Sequence, residues 1–403
     1  MERFPLKLAV VTHIVPPATV GTAMRMYRLF RDAHPDDYCL LISRDYEEAE
    51  GDQDLQGRLP AKHYRLPSEW CQLRPPALRR LAPFFDMVNV PLRVYQRARN
   101  IERIVKQEKC GAILAFSGDL IDLPAGYLAS RRCRIPFYAA VDDYYSYQWP
   151  DRFGRRFARY AEPVVLKGSA RVIVLNDFLR DEYCRRYHIN PVVIYNPCEL
   201  PVAAMGENVP WPATDGEVAI VYTGAIYHAH YDAFANIIAA IGLLCRPDVK
   251  LHLYTAQSRR DLERRGIQGP VVFHGHLPPS EILGVQQQAD ILFLPLAFET
   301  SIPEVIKTSA PFKMGEYLAS GRPILVHAPA DSFVSWYFKT HECGVVVDQS
   351  DPRMLVQAIQ CILNDAELRR KLSRNAQSSA QIDFGLQGAQ VAFRRVFHSE
   401  DDE

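Results

Sequence analysis

Short apolar runs recur along the chain, each of strand length and each separated from the next by a segment of helical length. LKLAVVT at 6–12, GAILAF at 111–116 and PFYAAV at 136–141 are three such runs. Strands that are apolar on both faces are typical of a parallel sheet covered by helices on both sides. The pattern therefore predicts alternating strands and helices, the arrangement of a doubly wound α/β fold.

Two sets of these strands lie on either side of a segment without periodicity. Residues 199–216 are rich in proline and small residues, which is typical of a linker. A chain of 403 residues also exceeds what one hydrophobic core ordinarily serves. The predicted bounds are 1–197 for a first Rossmann-like domain, 198–216 for the linker, 217–375 for a second Rossmann-like domain, and 376–403 for C-terminal helices that pack back on the first domain.

Composition narrows the class of protein. Lysine plus arginine and aspartate plus glutamate both total 47, so global charge gives no argument for nucleic acid as a partner. The nine cysteines are scattered without paired metal-type spacing, which suits a reduced cytosol. No apolar run approaches the roughly 18 residues of a membrane-spanning helix. We expect a soluble, cytoplasmic protein.

Residues 308–323, TSAPFKMGEYLASGRP, predict a helix between a loop and a strand. Thr308 or Ser309 is the expected N-terminal cap, because a short hydroxyl side chain accepts hydrogen bonds from free N–H groups. Gly321 is expected to end the helix in the left-handed conformation, and the apolar run at 324–326 follows as a strand.

The first turn of this predicted helix carries candidate anion-binding chemistry. Free N–H groups and the positive end of the helix dipole favour a bound anion. Lys313 lies in this turn, where its own charge opposes the dipole, and a bound anion would explain its presence there. Glu316 follows one turn later on the same face. A surface Lys–Glu pair is an alternative that the spacing alone leaves open.

Small and acidic residues follow two strands of the first domain. Gly21 and Thr22 stand in the loop after the first strand, and Asp142 and Asp143 follow PFYAAV directly. The carboxyl ends of parallel strands are where open α/β sheets bind ligands. The two aspartates could hold a base, a metal or a sugar hydroxyl, or could simply cap the next turn. No G-x-G-x-x-G fingerprint is present.

Glycine turns follow two strands of the second domain, at Thr223–Gly224 and at His274–Gly275. Histidines near these turns raise the alternative of a metal site. They do not share one helix face and no cysteine pair joins them, so local structure or nucleotide contact is the favoured interpretation. The histidines concerned are His13, His228, His230, His274 and His276.

Residues 74–109 form a helical, basic segment studded with large apolar residues. Such a segment can lie on an anionic membrane surface, which would make the protein peripheral at the inner membrane face. The favoured interpretation is a packed helix of the first domain with a solvated basic face.

Several phrases in the second half resemble those of glycosyltransferase family 4. PFKMGEYLASGRPILV is similar to the family's donor-binding segment, and VIYNPCEL to its phrase between the two domains. VYTGAIYHAHYDAFANIIAAI and VVFHGHLPPSEILGVQQQADILFLPL resemble the opening of its nucleotide domain and its base-contacting loop. The first half resembles the family more loosely, through FSGDLIDLPA and the DDYY ending.

The resemblance implies a GT-B fold, with two Rossmann-like doubly wound domains that face each other across a cleft. It implies transfer of a sugar from a nucleoside diphosphate sugar to a glycan, lipid-linked or small-molecule acceptor, as in polysaccharide biosynthesis. Retention of configuration is implied, without metal and with no cofactor beyond the donor. Glu316 would hold the ribose, and Asp142 and Asp143 would be the catalytic residues. The further donor-binding residues would be Gly21, Thr22, Thr223, Gly224, His274, Gly275, Thr308, Ser309 and Lys313.

Two departures from the family pattern motivate a second hypothesis. Many members carry a glutamate where this chain has Thr308, and an arginine and a lysine where Ala225 to His230 offers only histidines. Lys313 and backbone amides would then carry more of the phosphate charge. The alternative function is a non-catalytic GT-B-like subunit that binds a nucleotide or a partner. A third hypothesis is a GT-B isomerase of the sugar-nucleotide epimerase type.

Overall fold

The computed structural model describes residues 3–15, 18, 21–43, 59–67, 82–200 and 216–398, with the side chains of 82–87 excepted. The chain divides into two compact units. Unit 1 comprises Met1–Tyr195 and Ala389–Glu403, and unit 2 comprises Asn196–Gly388. Nearly all of the predicted linker, 198–216, lies outside the described residues.

Unit 1 is built on a parallel sheet of seven strands in the order β3-β2-β1-β4-β5-β6-β7. The first strand pairs with β2 on one side and β4 on the other, so strand order reverses beside it, as in Rossmann-like folds. The strands are β1 (Leu8–Thr12), β2 (Tyr38–Ile42), β3 (Lys62–Arg65), β4 (Ala112–Phe116), β5 (Phe137–Val141), β6 (Arg171–Val174) and β7 (Val192–Val193).

Helices connect these strands, as parallel pairing requires. The helices are α1 (Gly21–Phe30), α2 (Ala82–Glu108), α3 (Asp122–Cys133), α4 (Arg152–Gly168) and α5 (Asp177–Tyr187), with a 3₁₀ turn at Pro35–Asp37. Residues of β1, β2, β4 and β5 are all buried, which explains why these strands read as apolar runs.

Unit 2 repeats the plan with six parallel strands in the order β10-β9-β8-β11-β12-β13. The strands are β8 (Val218–Thr223), β9 (Val249–Tyr254), β10 (Val271–His274), β11 (Ile291–Pro295), β12 (Ile324–His327) and β13 (Val345–Val347). The helices are α6 (Tyr231–Leu244), α7 (Arg259–Glu263), α8 (Pro279–Gln287), α9 (Pro303–Thr308), α10 (Lys313–Ala319), α11 (Phe333–Thr340), α12 (Pro352–Asn364) and α13 (Ala366–Asp383), before α14 (Leu386–Arg395).

The C-terminal helix completes the core of unit 1. Phe393 and Phe397 pack against Phe4, with ring centroids 6.1 and 5.4 Å away, and Phe393 also contacts Phe30 at 5.2 Å. The return to unit 1 therefore occurs at Ala389 and not at about 376, because α13 packs against α10 within unit 2.

Four elements, one strand and three α-helices, escaped the sequence patterns. β3 is a half-exposed edge strand without an apolar run, and α9 has only six residues. The long helix α4 was also missed, since three of its buried residues are Gly154, Ala158 and Glu162, which do not form a stripe of large apolar side chains. The fourth is α11, for which no helix was predicted between the strand at 324–326 and the next strand.

The basic segment predicted at 74–109 is described from residue 82, within α2. Ala98, Ile101, Ile104 and Val105 are buried against the rest of unit 1, so this part is a packed domain helix. None of the described helices combines the length and the apolar character needed to span a bilayer.

Candidate functional site

Lys313 is the first residue of α10, and its side chain is directed at the end of β8. Its Nζ donates a hydrogen bond of 2.6 Å to the Tyr222 hydroxyl and lies 3.9 Å from the centroid of the Tyr222 ring. The Tyr222 hydroxyl in turn donates to the Ala225 carbonyl at 2.6 Å. The ammonium group is thus held in one place by an aromatic face and a hydroxyl.

No carboxylate lies within ion-pair distance of Lys313 Nζ in the described part of the chain. Burial lowers the pKa of Lys313 to about 7, and the more distant Glu316 only partly counteracts it. Lys313 is half-buried, and a partly desolvated cation that lacks a counter-ion costs stability unless something compensates its charge. The Lys–Glu ion pair that the spacing allowed is therefore not formed.

The turn after β8 places backbone, without a side chain, beside this ammonium group. Gly224 has φ +115°, a conformation that side chains disfavour, and a Cβ there would lie 3.4 Å from Lys313 Nζ. Thr223 is buried, and its hydroxyl and N–H are engaged by Gln286 and Tyr317. The tight turn predicted here is confirmed, but the Thr223 side chain faces the core.

His230, one of the histidines singled out in the sequence but not assigned to the donor site, is buried near the same cation. It is only 4% exposed, and its Nδ1 has no hydrogen-bond partner among the described residues. Burial lowers its pKa well below the ordinary value, and the charge on Lys313 adds to this effect. The imidazole is therefore neutral. It directly precedes α6 and makes no side-chain capping bond there.

The predicted cap of the helix that carries Lys313 is wrong. Thr308 ends the separate helix α9, and its hydroxyl donates to the Glu304 carbonyl at 3.1 Å, one turn back. Ser309 lies in the connection, and α10 begins at Lys313 without a side-chain cap. Pro303 can open a helix of its own, which takes Thr308 into α9. Gly321 has φ +74° and ends α10 as predicted.

His274 lies at the end of β10, where its ring stacks on that of Tyr254 with centroids 4.1 Å apart. Its Nε2 is 3.0 Å from His252 Nδ1. Burial lowers the pKa of His274, with a smaller contribution from His252. A Cβ on the following Gly275 would meet no atom within 4 Å, so packing does not demand glycine there.

Glu316 is half-buried, one turn after Lys313 on α10. The helix packs closely against the end of α13. A Cβ added at Gly315 would lie only 2.9 Å from the ring of Phe384, the residue that follows α13. Of the residues predicted in the second domain, Gly224, Lys313 and Glu316 therefore share one locality. Thr308 and Thr223 contribute buried, internally bonded hydroxyls.

In unit 1, Asp142 is joined to the helix that follows β1. Arg25, which is 1% exposed, donates to Asp142 Oδ1 at 2.5 Å, and Thr22 donates to Oδ2 at 2.8 Å. The backbone N–H of Asp142 donates to the Ser117 hydroxyl at 2.9 Å. Gly21, as the first residue of α1, lies beside Thr22. The structure thus brings together residues that are 120 positions apart.

Asp143 differs from its neighbour. It makes no hydrogen bond to any described residue, and burial raises its pKa to about 6, with a further contribution from the charge of Asp142. A carboxyl group with a raised pKa and free oxygens is suited to exchange a proton or to bind a hydroxyl near neutral pH. Asp142 is suited instead to position the loop.

The loop after Asp143 is fixed by a buried glutamate. Glu162 of α4 accepts hydrogen bonds from the Ser146 N–H at 3.1 Å, from Tyr183 at 3.0 Å and from Tyr187 at 2.5 Å. Burial raises its pKa, and these donors oppose that effect. This network was missed because α4 was missed. It gives the Asp143 loop a rigid support.

Comparisons with known families agree with this architecture. The profile described as Glycosyl transferases group 1 matches residues 217–365, and the profile described as Glycosyltransferase Family 4 matches residues 54–200. Together they cover well over half of the chain. No curated protein sequence matches the chain.

Solved structures with the same fold share little sequence with this chain. A glycosyltransferase from Rickettsia africae is 14% identical, with a TM-score of 0.67 and 97% of each chain covered. Anabaena Alr3699/HepE, solved in complex with UDP-glucose, is 14% identical with a TM-score of 0.66, covering 97% of this chain and 98% of the other. WaaG, a glycosyltransferase of lipopolysaccharide biosynthesis, is 13% identical with a TM-score of 0.62, covering 96% and 99%.

Two parallel-sheet Rossmann-like units with these matches define an enzyme of the GT-B glycosyltransferase class. Within that class, the chain belongs to the group 1 glycosyltransferases, as the resemblance of its second half predicted.

Proposed function

We propose that this glycosyltransferase takes its sugar from a nucleoside diphosphate donor, and that the diphosphate binds at Lys313. The observation that carries the proposal is the Lys313 ammonium, held by Tyr222 beside the Gly224 turn without a carboxylate in ion-pair range among the described residues. A diphosphate supplies the missing negative charge. The same cation would stabilise the charge that develops on the leaving diphosphate during transfer.

Other residues of unit 2 have supporting roles in this proposal. Glu316 binds the ribose hydroxyls, as the family resemblance implies, and His274 and Gly275 lie toward the base. Thr308 and Ser309 are weaker candidates for donor contact, because the Thr308 hydroxyl is bonded within α9. Uridine diphosphate is the first nucleotide to test, since the Anabaena protein of the same fold was solved with UDP and UDP-glucose.

The acceptor is assigned to unit 1. Asp143 receives or orients the acceptor hydroxyl, because its carboxyl group is half-buried and makes no hydrogen bond to a described residue. Asp142, Thr22 and Gly21 position the loop that carries it. The acceptor class is a glycan, a lipid-linked saccharide or a small molecule. Retention of configuration and independence from metal complete the proposal.

A thermal-shift screen against UDP, GDP, ADP, CMP and dTDP tests the donor site. A ligand at a hundred times its dissociation constant stabilises a protein by about 2.7 kcal/mol. We expect one selective nucleotide, and a loss of its effect in Glu316→Ala. Glu281→Ala, at an exposed glutamate of α8, is the matched control. No response to any nucleotide would overturn the donor assignment.

Product analysis tests the reaction itself. The anomeric configuration of the product, read by NMR, distinguishes retention from inversion, and chelator treatment tests for a metal requirement. Transfer that stops in chelator and resumes with added divalent cation would contradict the metal-independent assignment.

A further inference from the structure

One exposed face of α4 combines cations with large apolar side chains. Tyr160 is 68% exposed and Val164 is 60% exposed, values that are unusual for such residues in a folded unit. At about 100° per residue, the exposed positions fall within an arc of about 140°. We call this face the α4 stripe, and its members are Arg152, Arg156, Arg159, Tyr160, Val164 and Lys167.

The described residues of unit 1 do not neutralise the positive charge of the α4 stripe. The one acidic residue of α4 is Glu162, which is buried and bonded to tyrosines of α5. Asp151 caps the helix by accepting from the Gly154 N–H at 2.6 Å. Arg152 and Arg156 form no ion pair with any described residue.

The neighbouring helices α2 and α3 also expose basic residues. α3 packs against both α2 and α4 and carries the exposed Arg131. On α2, Arg103 and Tyr95 are exposed. Glu102 of α2 is already ion-paired with Lys106 of the same helix at 2.7 Å and with Arg132 of α3 at 2.6 Å. The three helices therefore present cations to solvent while their described acids are buried or paired.

We propose that the α4 stripe binds an anionic lipid surface, with Tyr160 and Val164 in the interfacial layer and the cations against lipid headgroups. Exposed aromatic and aliphatic side chains flanked by lysine and arginine are what a bilayer interface stabilises. A soluble polyanion would satisfy the charges but give no reason for exposing Val164. The membrane contact that was the alternative interpretation of 74–109 is thus proposed for α4 instead, because the described part of that segment packs into unit 1.

Vesicle co-sedimentation of the full chain tests this surface. We expect binding to vesicles that mix phosphatidylglycerol with phosphatidylcholine, little binding to phosphatidylcholine alone, and release at high salt. Arg152→Glu with Arg156→Glu should weaken binding by roughly tenfold or more. These changes should leave folding intact, because both side chains are exposed and negative charge suits the start of a helix. Arg370→Glu with Arg374→Glu on α13 is the matched control.

Fluorescence and serine variants test the proposed insertion of Tyr160 and Val164. Tyr160→Trp should show a blue-shifted fluorescence maximum on anionic vesicles, and Tyr160→Ser with Val164→Ser should weaken binding at constant charge. Equal losses in the α4 and α13 charge variants would overturn the assignment of the surface. Charge-dependent binding without a fluorescence shift would overturn the placement of Tyr160 and Val164 in the interfacial layer, and absence of binding to anionic vesicles would overturn the lipid assignment. Neither result depends on transferase activity.

Discussion

Replacing Lys313 with methionine separates two effects of its ammonium group: its free-energy cost to the folded protein and its contribution to donor affinity. Burial lowers the pKa of Lys313 from 10.5 to about 7, which corresponds to about 5 kcal/mol of lost ammonium stabilisation. If a bound diphosphate restores less than half of this stabilisation, about 2 kcal/mol, the interaction raises the affinity for the donor by about 30-fold. We therefore expect Lys313→Met to weaken UDP binding by about 30-fold.

The same reasoning fixes the pH dependence. In the free protein the amine is protonated below its pKa of about 7. A bound diphosphate favours the ammonium form and raises that pKa. Affinity is therefore highest at and below neutral pH and falls as pH rises, by about tenfold between pH 7 and 9 if binding raises the pKa by about 1.5 units.

Isothermal titration with UDP at both pH values measures these quantities. Lys307→Met is the matched control, since Lys307 is an exposed lysine of α9 that lies 3.5 Å from Asp331. The melting temperature of Lys313→Met should be no lower than that of the wild type, because a folded-state pKa below the unfolded value makes the ammonium destabilising at pH 7. An unchanged dissociation constant and pH profile in Lys313→Met would refute the reasoning.

Three further predictions concern the Gly224 turn and the acidic pair Asp142 and Asp143. Gly224→Ala should destabilise the protein by about 1–2 kcal/mol because of its positive φ. Gly242→Ala, in the exposed last turn of α6, should instead stabilise it by up to about 0.5 kcal/mol; equal denaturant midpoints for the two variants would contradict this. Asp142→Asn should cost about 3–5 kcal/mol by leaving Arg25 buried without its charge partner. Asp143→Asn should keep the melting temperature and lower transfer by roughly 100-fold, and a fully active variant would exclude Asp143.

Much of the fold could be read from local sequence. Strands buried on both faces, such as β1 and β5, read as continuous apolar runs, and Gly321 marked the end of α10 because left-handed backbone favours glycine. Short or polar elements could not be read this way. The buried face of α4 consists largely of Gly154, Ala158 and Glu162, and α9 is too short to show a period.

The sequence by itself determined the two alternating α/β sets, the family, and the candidate residues Lys313, Glu316, Asp142 and Asp143. Only the tertiary structure decided what each side chain does. It placed the Lys313 ammonium on Tyr222, with no carboxylate in ion-pair range among the described residues. It also left the Asp143 carboxyl group without a hydrogen bond to those residues, while Arg25 and Thr22 engaged Asp142. Burial and charge pairing depend on residues 90 to 120 positions apart, which no local pattern records.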